Sequence, residues 1–308
     1  MNVDSIFSTK GKADTIAMTK DILQGNVDLL EDKRFSSFDI KGMQAALQLL
    51  RQSDPYGDYA NDIENNGWRL TYYRKPPTPE EFLTYEWIGP QAETIWPNIK
   101  KAFLEFMDPN PLCSYRNLAL SVSIGWGKSL LTVLVLTYIT VIFGMMRKPY
   151  RLLGHSVTTS YAVCMCAATL GKGADLLLTP FEQLIENSPY FEKVGRHDDI
   201  TQINKEDKEC KKCYYSTAAR GTAHMAFRNN LQLKLMSTEG ALLGNTIVAT
   251  AMTEIGWWVK QQGWSYEDIF TFFNKAVDRV TSRMGDHYLG RSIIDSSPFS
   301  LESPIETE

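Results

Sequence analysis

The chain has 308 residues, 44% apolar and 22% charged, an ordinary balance for a soluble globular protein with length for one large or two modest domains. A net charge of −4 excludes nucleic-acid affinity by bulk charge, so any DNA binding has to use a local basic face or membership of an assembly. Five cysteines, an odd number, behind an N-terminus without a secretory pattern point to a reducing compartment.

Residues 1 to about 70 read as mostly helical and polar. The clearest helix there runs from Ser36-Ser37-Phe38-Asp39 into Met43–Leu50 and is broken by Asp54-Pro55-Tyr56-Gly57-Asp58. An aromatic stretch, Trp68 to Tyr73, precedes Lys75-Pro76-Pro77-Thr78-Pro79, a stiff linker or turn. Phe82 to Phe106 holds Trp87, Pro90, Trp96 and Pro97, and reads as an irregular lead-in followed by a helix from Pro97. The core pattern then starts: a strand over 117–124, a loop over 124–128, a helix over 129–145 and a second strand over 161–168. The next helix, over 174–187, ends at Ser188-Pro189-Tyr190-Phe191, and the charged segment 196–212 reads as a surface loop. Ala223–Arg228 and Leu231–Met236 flank Asn229-Asn230, a turn pair that predicts a β-hairpin. Another apolar run, Thr246–Met252, ends in Thr253-Glu254. A helix over 266–283, a strand over 291–295 and the turn Ser296-Ser297-Pro298 follow. Strands alternating with helices predict an α/β fold with a largely parallel sheet.

Leu130 to Met146 is apolar enough to suggest a membrane span, but it falls just short of the ~18 residues a span needs. It also carries Thr132, Thr137, Tyr138, Thr140 and Gly144. A buried helix is the better reading, although its β-branched residues are mediocre helix formers and burial must override them.

The run Ser123-Ile124-Gly125-Trp126-Gly127-Lys128-Ser129 lies between that first strand and this helix. Strand, glycine loop, Lys-Ser and buried helix is the layout of a phosphate-binding loop. Glycines let backbone N–H groups face phosphate oxygens, the lysine reaches the outer phosphates, and the serine hydroxyl ligates Mg2+. The standard pattern also has a glycine where this chain has Val122. ATP hydrolysis further requires a carboxylate near Mg2+, a carboxylate to orient water, and a cation for the charge that develops. Two glutamates follow apolar runs: Glu254 after Thr246–Met252, and Glu239 after Leu231–Met236. Glu254 is preferred because its run is the more apolar and suits a central parallel strand. Thr253 stands where the metal-side Asp is expected, and a hydroxyl is a far weaker Mg2+ anchor than a carboxylate. Arg220, Arg228, Arg283 and Arg291 all lie at element ends, and none is singled out as the transition-state cation. Cys210-Lys211-Lys212-Cys213, with His197 and His224, offers only one close ligand pair, which reads as free thiols rather than a zinc site. Cys164 and Cys166 share a strand face and read as core.

Gly125–Ser129, Pro149-Tyr150-Arg151-Leu152-Leu153-Gly154, Ser188-Pro189-Tyr190-Phe191, Leu243-Gly244-Asn245 followed by Glu254, and Ile293-Ile294-Asp295-Ser296-Ser297-Pro298 occur in that order. This ordered set, over about residues 85 to 305, resembles the large terminase subunits of tailed bacteriophages. The resemblance implies a P-loop NTPase core with a mainly parallel β-sheet flanked by helices, preceded by a helical N-terminal segment. Its divisions would be 1–70, the motor domain 71–300, and 301–308 as the start of a linker to a nuclease domain. It implies an ATPase, with ATP and Mg2+ as cofactors, that moves double-stranded DNA into a procapsid. Ser123, Ile124, Gly125, Trp126, Gly127, Lys128 and Ser129 would hold the nucleotide. Ser129 and Thr253 would face the metal, Glu254 with Lys128 would be catalytic, and Ser296 and Ser297 would couple hydrolysis to movement. The segment from Trp87 to Pro97 would contact the adenine. The implied partners are double-stranded DNA, the portal protein, the small terminase subunit and further copies of this chain in a ring on the procapsid, with a monomer alone. The implied place is the cytoplasm of an infected bacterium, transiently at the portal, with no membrane. With no downstream set of carboxylates for two metals, nuclease activity is not expected. Two alternatives stand beside this reading: a nucleotide-binding module with little hydrolysis, and another helicase-like motor.

Overall fold

The computed structural model describes residues 72, 74–108, 115–123, 125–194, 196–197, 215–216, 223–238, 246–284 and 289–297. The predicted N-terminal helix around 36–50 lies outside them. The chain divides into two compact units, Met1–Pro76 with Met145–Val157, and Pro77–Gly144 with Thr158–Glu308. In the described part of the first unit, Tyr72 forms an antiparallel bridge to Met146 and its carbonyl accepts from Arg147 Nε at 2.9 Å. One turn of helix there spans Pro149–Leu152.

The second unit is an eight-stranded mixed sheet flanked by helices. Its strands are β1 (Asn117–Ser121), β2 (Tyr161–Cys166), β3 (Arg196–His197), β4 (Tyr215–Ser216), β5 (Ala223–Phe227), β6 (Leu231–Met236), β7 (Thr246–Met252) and β8 (Arg291–Ser296). They lie in the order β1-β8-β7-β2-β6-β5-β4-β3. From β1 to β6 in that order every pairing is parallel, while β5 is antiparallel to β6 and to β4. The predicted largely parallel α/β sheet is therefore present. Strands β2, β7 and β8 are buried along their length, apart from a half-buried Thr246, as central parallel strands with covered faces are.

Local chemistry explains most element ends. Asn229 and Asn230 have φ of 64° and 56°, the paired left-handed conformation of a tight hairpin turn, so β5 and β6 pair as expected. Strand β1 stops at Ser121 rather than at 124, because its partner β8 stops at Ser296. One last bond, Val122 N to Ser296 O at 3.4 Å, closes the ladder. The helical run predicted from 174 starts at Leu170, because Thr169 caps it by accepting from Lys172 N. It passes through a π turn, Ala174–Leu178, into α3 (Thr179–Glu186). Ser188 does more than end it: its Oγ accepts from Phe191 N and opens a second short helix, Pro189–Val194.

Pro97 opens helix α1 (Pro97–Phe106) and Lys128 opens α2 (Lys128–Met145). A capping box between Thr78 and Glu81 starts the one-turn helix Pro79–Phe82, whose Phe82 ring lies 5.8 Å from Phe103 and 5.0 Å from Tyr138. Helix α2 is long and apolar enough to cross a membrane, but 89% of it is buried inside the protein. A helix apolar on all sides belongs in a core, and here burial outweighs the weak propensity of its valines, isoleucines and threonines. Helices α4 (Ile255–Gln262) and α5 (Tyr266–Met284) follow β7, and α5 packs on β7 and β8.

Gly127 connects the first loop to this core. It has φ of +96°, and a Cβ there falls 2.3 Å from Ile99 Cδ1 on α1. Gly125 has φ of +88° with open space around it. Both positions tax an L-residue by roughly 1–2 kcal/mol of backbone strain, but only Gly127 adds a clash. In thermal melts, Gly127→Ala therefore lowers Tm more than Gly125→Ala, and Ile99→Val narrows the gap.

Candidate functional site

Parallel strands share one chemical consequence: all their carboxyl ends open on the same edge. In open α/β sheets ligands bind in the crevice outside that edge. The register Ser121↔Ser296 and Met252↔Ile294 places the loop after β1, the turn after β8 and the turn after β7 side by side. Lys128 comes from the first, Ser297 from the second and Glu254 from the third.

The three meet. Lys128 Nζ donates to Ser297 Oγ at 2.7 Å and pairs with Glu254 Oε1 at 3.4 Å. Ser297 donates its hydroxyl to Glu254 Oε1 and its backbone N–H to Oε2, each at 3.3 Å. Lys128 is 6% exposed and Glu254 20%, so this is a sheltered ion pair on the lip of the sheet. Glu254 itself has φ 50° and ψ 51°, a left-handed conformation that costs a non-glycine residue free energy. The strained backbone turns the chain from β7 into α4. Trp258 Nε1 donates to the Thr253 carbonyl at 3.3 Å and Gly256 N donates to Ser296 Oγ at 3.3 Å, which fasten that turn.

Behind the pair lies a fully buried carboxylate. Asp295 Oδ1 accepts from the Thr253 hydroxyl at 3.0 Å and from Glu254 N at 3.3 Å, while Oδ2 is buried without a protein partner among the described residues. Burial pushes its carboxyl up to about 6, and the Glu254 charge adds to this; the two hydrogen bonds and the Lys128 charge pull the other way.

Beside α2 is a cavity of about 340 Å3 lined by Ile88, Pro90, Gln91, Leu130, Pro180 and Asn187, among others. Leu130 stands two positions after Lys128, so the cavity and the ion pair share one end of α2. Its outer wall is pinned by Trp87 stacked on Tyr190 at 4.4 Å between ring centres, and by Ser188 Oγ donating to the Trp87 carbonyl. Gly89, at φ +58°, lets the wall approach so closely that a Cβ would lie 2.2 Å from the Asn187 carbonyl oxygen. The Ser188-Pro189-Tyr190-Phe191 motif is thus a clamp for this wall.

Of the residues singled out by sequence, Lys128, Glu254, Ser297 and, through its hydrogen bonds, Ser296 come together. Thr253 lies beside them, engaged with Asp295. Ser123 and Gly125 are exposed, Trp126 and Gly127 half-buried, and the half-buried Ser129 follows Lys128 in the first turn of α2. The loop is cross-linked by Trp126 N donating to the Ser123 carbonyl at 3.3 Å. Ile124, Glu239, Leu243-Gly244-Asn245, Arg220 and the Cys210–Cys213 segment lie outside the described residues. Arg291 is buried at the opposite, amino edge of β8, where its Nε donates to the Phe106 carbonyl at 3.3 Å. Arg228 is buried at the hairpin turn before β6, also away from the carboxyl edge. Neither lies at the carboxyl edge where Lys128 and Glu254 meet. Cys164 and Cys166 are buried free thiols, and burial pushes Cys166 up to about 12, as core packing predicts.

Asp295 is the functional candidate that sequence reasoning passed over as a strand residue. Its signal was available: an acid inside an apolar strand, directly before two serines. Among the described residues no group of three or more His, Cys, Asp or Glu is arranged to hold a metal ion. A divalent ion here would depend on hydroxyls and on its ligand's own oxygens. No protein-family model matches the chain, and no curated protein sequence matches it.

The raised Asp295 carboxyl has a signed consequence. The folded state holds this proton more tightly than the unfolded chain, so the associated stability is fully present below about pH 4. It is lost as pH rises through about 6, by roughly 1–3 kcal/mol. Asp295→Asn removes that titration. The Tm of D295N minus that of the wild type therefore increases between pH 4.5 and pH 7.5, whatever its value at the acid end; a pH series of thermal melts measures it.

Proposed function

We propose that this chain is the ATP-hydrolysing motor domain of a viral DNA-packaging terminase, built on a P-loop NTPase core. The observation that carries the proposal is the meeting of Lys128, Glu254 and Ser297 at the carboxyl ends of three adjacent parallel strands, next to a glycine loop and a cavity. The assignment to DNA packaging rests on the ordered terminase-like motifs, two of which acquire physical roles: Ser188–Phe191 clamps the cavity wall, and Ser296-Ser297 holds the candidate base.

On this reading Gly125 and Gly127, both at positive φ, let the loop backbone turn its N–H groups toward phosphate oxygens. Lys128 exchanges Glu254 and Ser297 for a phosphate, which is a stronger anionic partner. That exchange takes the lysine off Glu254 Oε1, whose remaining lone pair then orients the attacking water and accepts its proton. Ser297 keeps the other oxygen in place through its backbone N–H. Because Ser297 touches both charged groups, any movement of Lys128 or Glu254 is felt at the end of β8, which is how Ser296 and Ser297 would transmit hydrolysis. The base of the nucleotide would occupy the cavity, with Gln91 and Asn187 as its amide neighbours. Mg2+, when bound, neutralises phosphate charge. Ser129 and Thr253 offer the hydroxyls to hold it, and Asp295, bonded to the Thr253 hydroxyl, gives the site an acid that suits a hydrated cation. The partners on this reading are double-stranded DNA, the portal protein, the small terminase subunit and neighbouring copies of the chain, in the cytoplasm of an infected bacterium. Neighbouring copies would also supply the arginine that Arg228 and Arg291 do not.

Steady-state ATPase assays with and without double-stranded DNA test this. Lys128→Ala and Glu254→Gln each reduce turnover by about 10²-fold or more, and Glu239→Gln stays near the wild type. Full activity in E254Q rejects Glu254 as the base. A further variant probes the cavity: Gly89→Ala displaces its wall, weakening ATP binding while inorganic phosphate still competes as it does with the wild type.

A second reading is favoured by one feature. Glu254 is tied to Lys128, which suits a module that binds nucleotide without turning it over. Nucleotide binding with no hydrolysis under any condition, DNA and assembly partners included, selects it.

A further inference from the structure

Thr253 poses a charge problem for the proposed site. At the end of β7 a hydroxyl stands where divalent-ion chemistry calls for a carboxylate, and a neutral oxygen contributes little to holding a hydrated dication. The neighbouring strand supplies the missing charge. Register Met252↔Ile294 sets Asp295 beside Thr253 across the parallel ladder, and its Oδ1 accepts the threonine proton at 3.0 Å. The same oxygen takes the Glu254 N–H at 3.3 Å, so the acid touches both residues of the Thr-Glu turn. Asp295 is fully buried, and among the described residues no cation contacts it directly and Oδ2 has no protein partner. Burying an acid is unfavourable unless charge or hydrogen bonds offset it, so an acid kept at this position has a local use. Glu254, whose N–H it accepts, is the residue that pairs with Lys128, so Asp295 belongs to the same site.

We propose that Asp295 is the metal-side acid of the Mg-nucleotide site, supplied from β8 in place of the residue that Thr253 replaces on β7. It acts as a positioning residue. By accepting the Thr253 proton it turns the hydroxyl lone pairs outward as acceptors, and it places a negative charge directly behind them. The inference rests on the nucleotide-site reading above and adds to it which strand carries the charge.

The test is calorimetric titration of the whole 308-residue chain with the non-hydrolysable ATP analogue AMP-PNP, once in Mg2+ and once in EDTA. Wild type, D295N and the relocated-acid double variant T253D/D295N are compared. Wild type binds more tightly in Mg2+ than in EDTA. D295N loses about tenfold or more of that Mg2+ gain while its EDTA affinity is unchanged, and the double variant recovers it. A full Mg2+ gain in D295N overturns the inference. So does an equal loss in Mg2+ and EDTA, which is the mark of a merely structural acid. In both cases the nucleotide-site reading survives. If the wild type binds the analogue in neither condition, the inference and that reading fall together. Should D295N not fold, the double variant decides alone: a Mg2+ gain of wild-type size upholds the inference and its absence rejects it.

Discussion

An ammonium group that is almost wholly buried has to be paired, and the pairing of Lys128 organises this end of the molecule. Neither of its partners is near it in sequence: Ser297 lies 169 positions away, and Glu254 belongs to another strand again. The contact exists because β1, β8 and β7 are parallel neighbours that end at the same level. A one-residue slip in either ladder would reverse which side chains face the crevice and separate the charges. The sheet therefore does more than support the site. Its register is what makes the site a site.

The cost of this arrangement is concentrated in two residues. Glu254 adopts a left-handed backbone that only glycine, and to a lesser extent asparagine and aspartate, visits without penalty. Asp295 holds a carboxyl inside the protein, with one oxygen unpaired among the described residues. Neither feature improves packing, and both lie within one hydrogen bond of each other. Strain and buried charge that cluster in one crevice single these residues out as candidates for a ligand site. The cavity beside Leu130 adds a place where the apolar part of such a ligand can be received, and the Trp87–Tyr190 stack lies next in sequence to its lining residue Ile88.

Much of the architecture was legible because its causes are local. Asn229-Asn230 between two apolar runs could hardly be other than a hairpin, since both residues tolerate positive φ. The apolar runs 246–252 and 291–295 are strands because their flanks carry turn residues and their interiors suit a sheet covered on both faces. Helix α2 was readable despite β-branched residues, since a glycine loop before it and polar threonines within it argued against a membrane span. The short helices before Pro97 and after Pro189 were less so. Two of them, Pro79–Phe82 and Pro189–Val194, start at single caps, Thr78 with Glu81 and Ser188, whose effect is comparable to the noise of propensity. The beginning of the helical run at Leu170 was missed for the same reason, because one capping bond from Thr169 sets it.

The candidate site shows the same division. Lys128 was picked out because it follows a glycine loop after a strand, Glu254 because it ends an apolar strand pattern, and Ser296-Ser297 because they belong to the terminase-like motif after the last strand. Asp295 was overlooked because a single acid in a strand has no meaning until its neighbour across the ladder is known. By itself the sequence determined the kind of elements, their order and the chemical types standing at their ends, since helices, turns and caps arise from contacts a few residues apart. Only the tertiary structure decided that β8 lies between β1 and β7, and hence that Thr253 has a carboxylate behind it and Lys128 an anion before it. Strand order depends on which faces pack together over long chain separations, and no local preference encodes that.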